Sequence, residues 1–144
     1  MLSNRQRQTE IMKPIAKDER LVANIFDDNF LMLPDTQGRD IGQSVLQLND
    51  ELEPGVGFHA YKMAPGMTTE AHVHTSHEEF FVLEGDLIDN DGTEYKPGDL
   101  VLLKAGTEHH STTKNGCTLL VYIPTAEIPA RDLNQGCQTQ TDHS

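Results

Sequence analysis

The sequence has little cysteine, few basic residues and no long apolar run, and each shortage excludes something. Its two cysteines, Cys117 and Cys137, stand far apart and form no metal-type C-x-x-C pair. Sparse cysteine of this kind fits reduced thiols in a cytoplasmic protein. Lys plus Arg number 11 against 23 for Asp plus Glu, a net charge of −12. That field repels a nucleic-acid backbone, which sets DNA and RNA aside as partners. No apolar stretch reaches the roughly 18 residues of a membrane span. The opening segment, MLSNRQRQTE, lacks the apolar centre of a secretion signal. No heptad and no long 3.6-residue apolar period runs through the middle of the chain, so helical architectures have no signal there.

What is present is one domain's length of chain, 144 residues. A domain near this size buries roughly 70% of the surface its unfolded chain exposes. Only 36% of the residues are apolar, and the polar excess gathers at the ends. Three zones follow. Residues 1–20 form a polar N-terminal arm, either a short helix or a loose segment. Residues 21–125 carry the structure. Residues 126–144 form a polar C-terminal tail, a short excursion and then a frayed end.

The central zone reads as short strands cut by turn residues. Residues 57–63 alternate and stop at Pro65-Gly66. Residues 69–74 form the next extended piece. Residues 78–84 (EEFFVLE) are rich in aromatic and β-branched side chains and stop at Gly85. Residues 86–89 lead into a hairpin signal, Asn90-Asp91-Gly92, and Lys96-Pro97-Gly98-Asp99 makes a second tight turn. Residues 100–103, 109–113 and 118–123 supply three more strands. Such spacing predicts an all-β sandwich or barrel.

Six of the seven histidines lie between positions 59 and 110, and some have geometric meaning. His72 and His74 are two apart, so on a strand both rings point to one face. Thr75-Ser76 is turn material, which makes Glu78 the start of the returning strand, beside its partner. His109 arrives after two further turns and can complete a fourth corner from across the barrel. Imidazole with carboxylate suits Zn, Fe(II), Mn, Ni or Cu(II) better than Ca or Mg. The bland reading of an isolated His-x-His on a strand is a surface or satisfied core pair.

The full pattern resembles the cupin motifs. The first is Gly66, five residues, His72-Val73-His74, three residues, Glu78, six residues, Gly85. The second is Gly98, five residues, Lys104, one residue, Gly106, two residues, His109. The chain departs from the usual proline at Lys104 and the usual asparagine at Thr113, which touches turn stiffness rather than ligation. The wording HTSHEEFFVLEGDLIDNDGTEYKPGDLVLLKAGTEHH is especially similar to the cupin domain of ChrR-type anti-sigma factors and their stand-alone relatives. The resemblance implies an all-β double-stranded β-helix, a jelly-roll barrel. It also implies one divalent metal held by the positions matching His72, His74, Glu78 and His109. The same branch includes small dioxygenases that cleave β-diketones, some with three histidines and no glutamate; Glu78 argues against a close match to those. The residues before Gly66 contain no cysteine, so a zinc-binding helical domain of the anti-sigma type is not expected.

The remaining residues carry paired readings. His77 is a turn-exposed histidine or a partner behind Glu78. Glu79 points away from Glu78 and is the fallback ligand if the turn is one residue longer. His110 faces away from His109. His59, Tyr61 and Met63 share one face and either line the pocket or pack. Phe80 and Val82 share the Glu78 face and wall the pocket. Phe81 and Leu83 face the other way and need cover from the N-terminal segment or a second subunit. Tyr122 either reaches the pocket or packs, and Cys117 packs.

The expectation is a homodimeric, cytoplasmic cupin with one metal, Zn or Fe(II) first, Mn or Ni next. It has a small-molecule substrate or ligand and neither nucleic-acid nor membrane partners. As an enzyme it is a dioxygenase-like protein acting on a small diketone- or hydroxyketone-type molecule. The alternatives are a non-catalytic sensor or storage module with a structural zinc, and a fold with a vestigial site.

Overall fold

Glycine and proline divide the chain into short segments, and alternation within each segment decides which side chains turn inward. The computed structural model describes residues 1–130, apart from the side chains of residues 8–11. The arm begins with a capping box. The Gln6 N–H donates to Ser3 Oγ at 3.2 Å and the Ser3 N–H to Gln6 Oε1 at 2.7 Å, starting helix α1 (Asn4–Ile11). A single 3-10 turn, Lys17–Glu19, follows.

Everything after that is strand and turn. The largest sheet runs β1 (Leu31–Met32), β2 (Gln43–Leu46), β3 (Gly57–Met63), β11 (Cys117–Ile123), β5 (Glu78–Gly85), β8 (Leu100–Leu103). A second sheet runs β10 (Ser111–Thr112), β6 (Leu87–Asp89), β7 (Glu94–Tyr95). A third runs β12 (Ile128–Pro129), β4 (His72–Val73), β9 (Glu108–His109). Every pairing is antiparallel. This is the all-β jelly roll that the motif spacing implies.

The core is the inner face of the large sheet. Leu119 pairs with Tyr61 on one side and Val82 on the other, and Val121 with His59 and Phe80. Met63, Phe80, Val82, Leu119, Val121 and Ile123 are buried, each worth about 1.5–3 kcal/mol relative to exposure. The opposite face is different: Phe58, Tyr122, Leu100 and Leu102 are exposed there. Phe81 and Leu83 are half-buried. Phe30 brings the segment before β1 onto this face, its ring 4.2 Å from the Lys62 Nζ.

Two devices set the geometry where β5 ends. The β5–β11 register shifts between Thr118 and Leu119, a bulge beside Gly85. Gly85 has φ +91°, and a Cβ there would lie 2.1 Å from the Gly116 carbonyl oxygen. Asp86 then ties the turn before β11, accepting from the Lys114 N–H at 2.7 Å and the Asn115 N–H at 3.0 Å.

Two placements differ from the sequence reading. β4 does not pair with the Glu78 strand; it lies between β9 and β12, while β5 pairs with β8 and β11. The turn at Thr75-Ser76 therefore carries the chain from one sheet to another instead of closing a hairpin. And β12 extends the third sheet past residue 125, with the Ala130 N–H donating to the Ala71 carbonyl at 3.0 Å. Proline is tolerated at Pro129 because β12 is an edge strand. Residues 131–144, with Cys137 and the rest of the expected tail, lie outside the described residues. Among the described residues no helix is long and apolar enough to cross a membrane.

Candidate metal centre

The third sheet presents donors on one face. His72 is directly opposite His109, and His72 is also opposite Pro129 in β12. Continuing that second register by two residues sets Glu127 opposite His74. Thr75 confirms the alignment, since its Oγ1 donates to the Ala126 carbonyl at 2.7 Å. Cross-strand partners share a face, so His72, His74, His109 and Glu127 converge. Glu78 comes to the same place from the large sheet.

The ring orientations are set from behind. His72 Nδ1–H donates to the Glu70 carbonyl at 2.7 Å, and His109 Nδ1–H to Asp89 Oδ1 at 3.0 Å. Both assignments follow from the partners being acceptors, and both leave Nε2 bare and facing inward. Asp89 is itself held by the hydroxyls of Tyr95, at 2.6 Å, and Ser111. Burial works to raise the Asp89 carboxyl, but hydrogen bonds from His109, Ser111 and Tyr95 outweigh it and keep its pKa below the ordinary value.

The three rings sit with centroids 4.6–4.9 Å apart. His74 Nε2 lies 2.9 Å from His109 Nε2. Two nitrogens bound about 2.0–2.1 Å from one ion, at neighbouring positions, stand roughly 3.0–3.4 Å apart. His74 is 1% exposed, and its Nδ1 has no hydrogen-bond partner. Burial lowers the His74 pKa to about 4, helped by His72 and His109, so the ring is neutral at pH 7. Glu78 lies with Oε1 3.7 Å from His74 Nε2. Burial first, then Glu127, pushes the Glu78 carboxyl up to about 9. The buried His74 ring faces His109 Nε2 beside a carboxyl that burial pushes up, an arrangement short of the positive charge that a bound cation would supply. One ligand atom from each of His72, His74 and His109 lies within 4.8 Å of the others, and the same holds for His74, Glu78 and Glu127. His74 belongs to both sets. The donor chemistry fits a divalent transition ion.

The cluster opens on a cavity of about 270 Å3, lined by His72, Glu78 and His109 together with His59 and Tyr61. His59 Nδ1–H donates to the Gly57 carbonyl at 3.1 Å, which leaves Nε2 as an acceptor. Burial lowers the His59 pKa. The Tyr61 hydroxyl donates to Gln43 Oε1, and burial raises its pKa. Phe80 walls the cavity and meets Tyr95 edge to face, centroids 5.3 Å apart.

Other expectations resolve simply. His77 is exposed and accepts the Ala105 N–H at 2.7 Å, so it fastens a turn. Glu79 is exposed. His110 stands outside the cluster, its main-chain N–H donating to Asn90 Oδ1 at 3.0 Å. Tyr122 lies on the outer face, 45% exposed, away from the cavity. Cys117 is buried and packs, and burial raises its thiol to about 11. Two site residues escaped the sequence reading. Asp89 had a weak signal, an acid at an inward position two after Leu87. Glu127 sat in a segment assigned to the tail and had none.

Fold and site together define a cupin with a candidate mononuclear metal centre. The sequence matches the ChrR cupin-like domain over residues 30–126, and the chain belongs to that family. Its fold is similar to the polyketide cyclase RemF from Streptomyces resistomycificus: TM-score 0.57, 20% identity, covering 77% of this chain and 85% of that one. A cupin-like protein of unknown function from Ralstonia eutropha gives 0.61 and 17%, covering 76% and 75%. An acetylacetone dioxygenase from Acinetobacter johnsonii gives 0.57 and 15%, covering 82% and 77%. At these identities the likeness speaks of fold alone. No curated protein matches the sequence.

Proposed function

We propose that this cupin binds one divalent transition metal through His72, His74, His109 and Glu78, and that it is a dioxygenase-like enzyme for a small diketone- or hydroxyketone-type molecule. The observation that carries the metal is the approach of His74 Nε2 to His109 Nε2 at 2.9 Å, with His74 buried and its Nδ1 unpartnered. Zn and Fe(II) head the candidates, with Mn and Ni behind them. When bound, such an ion supplies Lewis-acid polarisation of a substrate oxygen and, if redox-active, electron transfer.

The chain's own groups do the rest. Asp89 holds the His109 tautomer. Phe80 excludes water from the cavity. His59, neutral and fixed by Gly57, offers Nε2 to a substrate hydroxyl or enol proton and sets the far end of the molecule. A second copy of the chain is proposed on the outer face of the large sheet, where Phe58, Leu100, Leu102 and Tyr122 are exposed; a cytoplasmic setting goes with the single described, buried thiol.

The test is elemental analysis of protein purified without added metal, then oxygen uptake by Fe(II)-loaded protein with acetylacetone and a panel of hydroxyketones. The expected result is near one metal per chain and uptake with at least one compound. No uptake across the panel sinks the dioxygenase reading. A binding module with a structural zinc is the second reading. It is favoured by one observation: His72, His74, His109 and Glu78 alone supply the four donors that close a tetrahedral structural site.

A further inference from the structure

Glu127 has no part in the motif-based ligand set, yet it is built into the site. Its position is fixed from both sides, by the Thr75–Ala126 hydrogen bond before it and the β12–β4 pairing after it. One oxygen, Oε2, lies 3.4 Å from His72 Nε2, and the other, Oε1, lies 3.7 Å from the unpartnered His74 Nδ1. The first distance is the separation of two donors at neighbouring positions on one ion. His72 has no other use for that nitrogen, because its Nδ1 is engaged by Glu70. Glu127 also lines the cavity, together with His72, Glu78 and His109.

We propose that Glu127 is a further ligand of the metal, making a site of three histidines and two glutamates. The proposal rests on the metal reading above. Two consequences distinguish it. Two carboxylates cancel the charge of a divalent ion, where one leaves about +1, and a richer oxygen set favours Mn(II) and Fe(II) relative to Zn(II). Ligation would also tie β12 to β4, so metal should protect the Ala130 amide, which donates to Ala71, from hydrogen exchange.

The experiment compares wild type, His74→Ala and Glu127→Gln in titrations with Mn(II), Zn(II) and Co(II), with hydrogen exchange on the metal-free and metal-loaded forms. Glutamine keeps the size of the side chain, and Tm without metal reports that the variant folds. Glu127→Gln should weaken Mn(II) at least tenfold, weaken Zn(II) less, change the Co(II) visible spectrum, and lose the metal-dependent protection at Ala130. Wild-type affinity with an unchanged Co(II) spectrum overturns the proposal and leaves the motif ligands standing. Weaker binding with an unchanged spectrum also overturns it, since Glu127 then only orients His74. Failure of wild type to bind any of the three ions, or full binding by His74→Ala, defeats the metal reading itself.

Discussion

A histidine can act as a ligand only if the right nitrogen faces the ion, and in the proposed site a neighbour decides which nitrogen of His109 does. Asp89 accepts from His109 Nδ1 and is fixed by Tyr95 and Ser111. Partners of this kind are worth about 10–100-fold in metal affinity. Asp89→Asn should therefore weaken metal binding by about that factor. His74→Ala should lose most of the metal and, with it, the stabilisation that binding to the native state confers. His77→Ala should keep full occupancy, because His77 only fastens a turn. Calorimetric titration checks all three. His59 gives a pH prediction. Its folded pKa is lowered by burial, so between that value and the unfolded value the unfolded chain binds more protons. Stability from this group is fully present above about pH 6.5 and is lost as pH falls below it. In the metal-free protein His74, lowered to about 4, acts with the same sign, and Glu78, raised to about 9, acts with the opposite one, so the His59 contribution is read as the difference between wild type and variant. His59→Gln should flatten the decline of metal-free Tm between pH 6.5 and pH 5; an unchanged slope contradicts the buried neutral ring.

At the scale of elements, glycine decides where strands end and where they touch. Gly85 and Gly92 both have positive φ, +91° and +88°. Their surroundings differ. A Cβ at Gly85 collides with the Gly116 carbonyl and the Cys117 backbone, whereas nothing lies within 4 Å at Gly92. Gly92→Ala should cost about 1–2 kcal/mol, the left-handed penalty alone. Gly85→Ala must add displacement of β11 against β5, so its cost should exceed that by about 1–3 kcal/mol. Urea denaturation of the two variants measures the difference, and equal costs would mean that the close approach of β5 and β11 is not rigid. The β5–β11 contact was readable in outline, since Gly85 ends the first motif. The pairing of β4 was not. Its two residues carry no signal for their partners, and β9 and β12 reach them from 35 and more positions away.

For the whole molecule the open question is what meets the outer sheet face. Leu100 is 81% exposed and Phe58 66%, a costly pair to leave in water. Association of two copies each carrying −12 is opposed by charge, and salt screens that repulsion over about 8–10 Å at 0.1–0.15 M. A dimer through this face should tighten as salt rises, and Leu100→Glu should shift it to monomer. Sedimentation at two salt concentrations decides; a wild-type monomer in both removes the proposal.

The sequence by itself determined the strand-and-turn character of residues 57–123 and the inward direction of His72, His74, Glu78 and Phe80. Alternation and turn preference are local properties, read within a few residues. Only the tertiary structure decided that β4 lies between β9 and β12, that Asp89 stands behind His109, and that Glu127 joins the cluster. Those facts depend on registers between distant strands. One acid among 23 has no local mark to set it apart until the chain has closed around it.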